Sequence, residues 1–124
     1  MKKILVFAFL FMSCYNVERN CVDFKTGKFE FSTIVNDTLI YSNFTRTNDF
    51  EIEFFNGIKD SSSIKWVNNC EFLLTKLNPR TNQERRPVRI KILRTYGDKY
   101  DFEFSQVNNP QKISRGTVKR ISNL

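Results

Sequence analysis

Tyr100-Asp101-Phe102-Glu103-Phe104-Ser105 puts an aromatic residue at every even position and a polar one at every odd position. A helix of period 3.6 would spread that pattern around its axis, whereas a strand turns it into one apolar and one wet face. The same alternation recurs outward from this segment, in 28–32 around Phe29 and Phe31, in Phe50-Glu51-Ile52-Glu53-Phe54, in Ile64-Lys65-Trp66 and in Val88-Arg89-Ile90-Lys91-Ile92. Less regular strands are expected over 38–47, 70–77 and 117–121, with turns at Asn36-Asp37, from Asn56-Gly57 on to Ser63, and at Asn68-Asn69, Gly97-Asp98 and Asn108-Asn109-Pro110. Strands that follow one another so closely pair antiparallel, because a parallel crossover takes a dozen residues or more. The expected fold is all-β: an antiparallel meander of about eight short strands that hides its apolar face and its edges by closing into a small barrel or by folding over as a sandwich.

Facing residues of a hairpin point to the same side, which fixes parity. A three-residue turn at Gly97-Asp98-Lys99 sets Ile92 opposite Phe104 and Lys91 near Glu103 and Asp101. A turn after Val67 sets Trp66 opposite Phe72 and Ile64 opposite Leu74, with Cys70 at the edge of the core within reach of Cys21.

The first residues read differently. Lys2 and Lys3 precede an apolar run from Ile4 to Met12, and Ser13-Cys14 closes it. This is a signal-peptide profile, and nine apolar residues in a helix cover roughly 14 Å, less than half of a roughly 30 Å hydrocarbon core. Phe11-Met12-Ser13-Cys14 resembles a bacterial lipobox, with Phe11 where Leu is commonest; the resemblance implies diacylglycerol on the Cys14 thiol, cleavage before it and acylation of the new amine. The alternative is an ordinary signal peptide with a cysteine near its end. The expected organisation is a leader over 1–13, a lipid-anchored tether over 14–22 and a single β domain over 23–124.

Removing the leader leaves 111 of 124 residues, enough for one core. Two lysines leave with it, so 18 basic residues face 13 acidic ones and the net charge is +5. Histidine is absent, which takes away Ser-His and Cys-His nucleophile pairs and the usual zinc ligand sets, and no metal or cofactor is expected. With Cys14 acylated, Cys21 and Cys70 form an even pair in an oxidising compartment and are expected to be disulfide-bonded, a closure over about 50 residues that stabilises by roughly 4 kcal/mol on chain entropy.

The carboxylate pairs Glu51/Glu53 and Asp101/Glu103 each share one face of a strand. Their alternation with Phe and Ile reads as solvated faces rather than as the paired acid and base of a glycosidase. Arg80, Arg85 and Arg86 lie in the longest insertion, 78–87, and are the expected contact for an anionic envelope partner. Nucleic acid is not expected, since the aromatics sit on the core parity rather than as exposed stacking platforms. Arg94 falls on the inward parity of its strand beyond Val88, Ile90 and Ile92, at an end of the expected barrel. If the interior is hollow, the expected ligand site is bounded by Phe54, Trp66, Phe102 and Phe104 with Arg94 at one mouth, pairing with the head of an amphiphile.

Gly27-Lys28-Phe29 resembles the opening of lipocalin-like barrels, with Phe29 where a Trp packs across one end. The whole mature chain is similar to a group of short lipoproteins of Bacteroidota through Ser13-Cys14-Tyr15-Asn16, Arg19-Asn20-Cys21, 24–29, Ile64-Lys65-Trp66-Val67, Asn69-Cys70 and Leu74-Thr75-Lys76-Leu77. Some members carry the name of a DNA topoisomerase IV, an activity that needs a large multi-domain scaffold, a supported catalytic tyrosine and the cytoplasm. The lipobox resemblance implies a protein held in the bacterial envelope through lipid on Cys14; Tyr15-Asn16 carries no acidic run of the sort that resembles a surface-export tag, so the expected place is the outer membrane, facing the periplasm. The expected function is non-catalytic: a lipocalin-like binding module for a small amphiphilic or anionic ligand. The alternative is a structural or protein-interaction component of the envelope with a filled core. Interior volume separates the two.

Overall fold

The computed structural model describes residues 17–124, with the backbone alone at Ile34 and Val35; the leader and Cys14 lie outside the described residues. Eight strands, β1 (Gly27–Val35), β2 (Thr38–Arg46), β3 (Phe50–Phe55), β4 (Ile58–Asn68), β5 (Glu71–Lys76), β6 (Val88–Tyr96), β7 (Lys99–Gln106) and β8 (Asn109–Ser122), pair each with the next. β8 returns to β1, so the meander closes as a barrel and not as a sandwich. Every pairing is antiparallel, and closure gives each of the eight strands a neighbour on both sides, although Thr38 to Ser42 of β2 pair with β1 alone.

The turns carry the chemistry that two-residue hairpins require. Asn36-Asp37 and Asn56-Gly57 have positive φ at both positions, as a type I′ turn demands. The β4–β5 register sets Trp66 against Phe72 and Ile64 against Leu74, as parity predicts. The β6–β7 hairpin differs. Its turn is two residues long, with Tyr96 paired to Lys99, and a bulge between Ile92 and Arg94 then shifts the register so that Ile92 faces Phe102 and Ile90 faces Phe104.

β4 begins at Ile58 and β8 at Asn109, both earlier than their alternation suggests. Ser61-Ser62-Ser63 reads as turn by composition but forms ladder with β3. Gly116 lies where a Cβ would come within 2.6 Å of the Phe31 ring, so glycine lets β8 pass close over Phe31 and Phe102.

One end of the barrel is plugged. A 3-10 turn, Cys21–Phe24, sits across it, with Phe24 and Cys21 almost fully buried. Phe24 meets Tyr100 edge to face at 5.2 Å, and Phe29, Phe44, Phe72, Ile92 and Val118 complete the floor. The Cys21–Cys70 disulfide ties the plug to the β4–β5 turn. The chain before it is fastened to β6: the Thr95 N–H donates to the Glu18 carbonyl at 2.9 Å and the Asn20 N–H to Thr95 Oγ1 at 2.8 Å. Of residues 18–22, expected in the tether, Cys21 is buried in the base, while Glu18, Arg19, Asn20 and Val22 remain exposed.

Candidate functional site: the barrel lumen

At the base a single buried cation organises the interior. Arg46, 1 % exposed, ends β2 pointing inward. Its Nη1 donates to the Phe24 carbonyl at 2.8 Å, its Nη2 to the Tyr100 hydroxyl at 2.9 Å and its Nε to Glu51 Oε2 at 3.0 Å. Its guanidinium carbon lies 4.7 Å from the Phe72 ring centre and 4.9 Å from that of Phe29, with Phe44 and Tyr100 slightly farther. Burial works against this charge, but Tyr100 and Glu51 outweigh it and hold its pKa above the ordinary arginine value. Burial also raises the Tyr100 phenol, which stays protonated at neutral pH. A second arginine, Arg120, stacks on Phe24 from β8 and donates to the Asp23 carbonyl, so two carbonyls of the plug are capped by guanidinium groups.

Arg46 fixes the orientation of β3. Phe44 and Arg46 point inward, and register pairs them with Glu53 and Glu51, so both glutamates face the lumen. The expectation of a solvated carboxylate face on the outer wall is corrected in part: Glu51 is withdrawn to 12 % exposure, Glu53 stays exposed but at the open cavity, and Phe50 and Phe54 take the outer face, 45 % and 48 % exposed. The physical reason is the buried guanidinium, which needs a counter-charge from its neighbouring strand more than the strand needs to bury two rings. Asp101 and Glu103 do lie outside, with Asp101 bonded to Arg94, Tyr96 and Thr117 and Glu103 near Arg115.

Above this base the barrel is hollow. A cavity of about 340 Å³ is bounded by Phe31, Ile90, Phe102 and Phe104 on one side, Ser42, Glu51 and Glu53 on the other, and Arg46 beneath. Past Glu53 and Leu74 it runs into a chamber of about 320 Å³ under the loop between β5 and β6, where Asp60, Ser62, Lys76, Glu84 and Arg86 line it. Each holds far more than a few waters at roughly 30 Å³ apiece, and each falls within the lower range of small-molecule sites.

Charge in the lumen is uneven. Lys76 is held by Asp60 at 2.9 Å and Glu84 at 3.4 Å, and the Asp60 hydrogen bond raises its pKa. The Arg80 backbone N–H bonds Glu84 at 2.6 Å and lowers that carboxyl. Glu53 has no ion-pair partner among the described residues. Burial raises its pKa, Ser42 opposes the rise, and Glu51 and Asp60 add to it. Among the described residues no group of three thiol or carboxylate side chains is placed to hold a metal ion.

The residues expected to line a pocket divide. Phe102 and Phe104 do line the cavity. Trp66 packs in the base, its ring 4.6 Å from Phe72 and beneath Lys25. Phe54 is on the outer surface. Arg94 is also outside, 55 % exposed and paired with Asp101 at 2.6 Å. The bulge after Ile92 accounts for this correction: one extra residue reverses parity, so Thr95 turns inward in its place and is 4 % exposed. Arg80, Arg85 and Arg86 stand exposed in the loop over the mouth, where Arg86 reaches the lumen wall. Sequence reasoning missed Arg46, Glu51 and Glu53 as lumen residues. The available signal was an arginine at the end of an otherwise uncharged strand, followed by a strand with glutamates at the matching parity.

Comparison with known protein families, with characterised proteins and with solved structures finds no match to this chain.

Proposed function

We propose that this chain is a lipid-anchored envelope protein whose barrel binds a small amphiphilic molecule in its lumen, as a lipocalin-like module without catalytic activity. The observation that carries the reading is the half-empty interior: a cavity of about 340 Å³ with an aromatic wall, a polar wall and an open mouth. A barrel of eight strands has room either to fill itself or to hold one small ligand. Here the base is filled and the upper part is not, which favours a binding module over a structural component with a filled core.

Native mass spectrometry of gently purified protein tests it. Wild type should carry a small-molecule adduct, and Val88→Trp, which puts an indole into the upper chamber, should lose it while keeping the far-ultraviolet spectrum of the barrel. No adduct in wild type, or one that persists in Val88→Trp, overturns the reading. Arg94→Ala should leave binding unchanged, because Arg94 faces away from the lumen. The anchor is tested separately: Cys14→Ala should release the protein from membranes and abolish acyl labelling, and retained labelling would sink the lipoprotein reading.

A further inference from the structure

We propose that the lumen selects a cationic amphiphile, with an ammonium head against Glu53 and an apolar tail along Phe31, Phe102 and Phe104. The proposal rests on the binding reading above and gives it a sign. Three observations converge on that sign.

First, the two cations deepest in the lumen are already engaged; Arg86, in the outer chamber under the loop between β5 and β6, is the exception. Arg46 spends its Nε on Glu51 and a donor from each terminal nitrogen on Phe24 and Tyr100. Lys76 bridges Asp60 and Glu84. An anionic head entering the cavity would find no uncommitted cation at its floor and would have to displace Glu51 from the buried Arg46, leaving a carboxylate without its partner.

Second, the carboxylate left over is on the cavity wall itself. Glu53 lines both chambers and has no ion-pair partner among the described residues, while Glu51 and Asp60 stand on either side of it in the lining. A bound cation would relieve the repulsion among the three.

Third, the facing wall is made of rings. The Phe31 and Phe102 ring centres lie 5.7 Å apart and those of Phe102 and Phe104 5.9 Å apart, a continuous aromatic lining whose apolar area receives a tail and whose π-systems tolerate a cation. Carboxylate on one side and aromatic faces on the other is a poor setting for an anion and a good one for an alkylammonium.

Calorimetric titration of the full mature protein with three probes of equal chain length, octyltrimethylammonium, octyl sulfate and 1-octanol, tests the assignment. The ammonium should bind at least tenfold more tightly than the sulfate. Glu53→Gln, which keeps the shape of the side chain, should remove most of that preference, bringing the ammonium and the sulfate towards equal affinity. Equal or tighter binding of the sulfate, or a preference that survives Glu53→Gln, overturns the proposal while the binding module stands. Failure of all three probes to bind overturns both.

Discussion

Arg46 and Glu53 face the same lumen from adjacent strands, one 1 % exposed with hydrogen bonds to three partners, the other at an open cavity with no ion-pair partner among the described residues. Around Arg46 the barrel is packed with rings, sealed by the 3-10 turn and cross-linked; around Glu53 the same strands enclose space. A barrel has one circumference, so the difference lies in what fills it. The base uses Phe24, brought in from outside the sheet, to occupy the centre, and among the described residues no ring corresponding to it enters from the mouth. Stability is therefore expected to reside in the base and binding in the upper half, a division of labour in which each substitution should affect one property and spare the other.

The sharpest way to break that division is Arg46→Ala. It leaves Glu51 without its buried partner and removes the packing of four rings, so it should cost about 3–5 kcal/mol in urea unfolding. A loss below about 1 kcal/mol would mean that base and mouth contribute alike. Next comes the cross-link: replacing both Cys21 and Cys70 by alanine should cost about 2–4 kcal/mol, given the 49-residue separation between them. Trp66 fluorescence should follow this transition, since its ring rests on Phe72 in the base.

The smallest effect is in pH dependence, and it has opposite signs inside and outside. Burial first, then Glu51 and Asp60, raise the Glu53 carboxyl above its ordinary 4.5, so the folded state binds a proton more readily than the unfolded one. Its contribution is favourable in acid and is lost as pH rises from about 4.5 through the folded value. Glu71 on the outer wall is held below 4.5 by its hydrogen bond to Arg89; it contributes stability above 4.5 that is lost as pH falls through the folded value. Denaturation midpoints measured across mild acid should therefore flatten in one direction for Glu53→Gln and in the other for Glu71→Gln. The same slope change in both variants would show that the two walls are electrostatically equivalent.

The eight-stranded antiparallel meander was legible because period two survives in most strands, though not whether it would close as a barrel or fold over as a sandwich. The disulfide was legible because setting Cys14 aside left Cys21 and Cys70 as an even pair with Cys70 on the core parity. The hairpin joining Trp66 to Phe72 was readable for the same reason. What the sequence concealed was direction. Phe50-Glu51-Ile52-Glu53-Phe54 alternates perfectly, yet alternation says only that the two faces differ, and a lumen that is partly polar can accept the charged one. The serines of β4 were opaque for a related cause: Asp60 and Ser62 face a wet interior and Ser61 and Ser63 the other side, so this first half of the strand has no apolar face to announce it. Arg94 was misplaced by a single bulge residue, which leaves no compositional mark but turns everything after it around.

Both ends of the described chain leave from the same pole. Glu18 is bonded to Thr95 beside the plug, and Ser122 of β8 pairs with Lys28 at the start of β1, so the mouth lies at the far pole, one strand length away. In practical terms the molecule is a cup with its handle at the foot. Tags, surface attachment or a display scaffold joined after Leu124 leave the rim unobstructed, and a short linker from Leu124 to Val17 would allow the described residues to be circularly permuted and reopened at the Asn56-Gly57 turn without cutting the base.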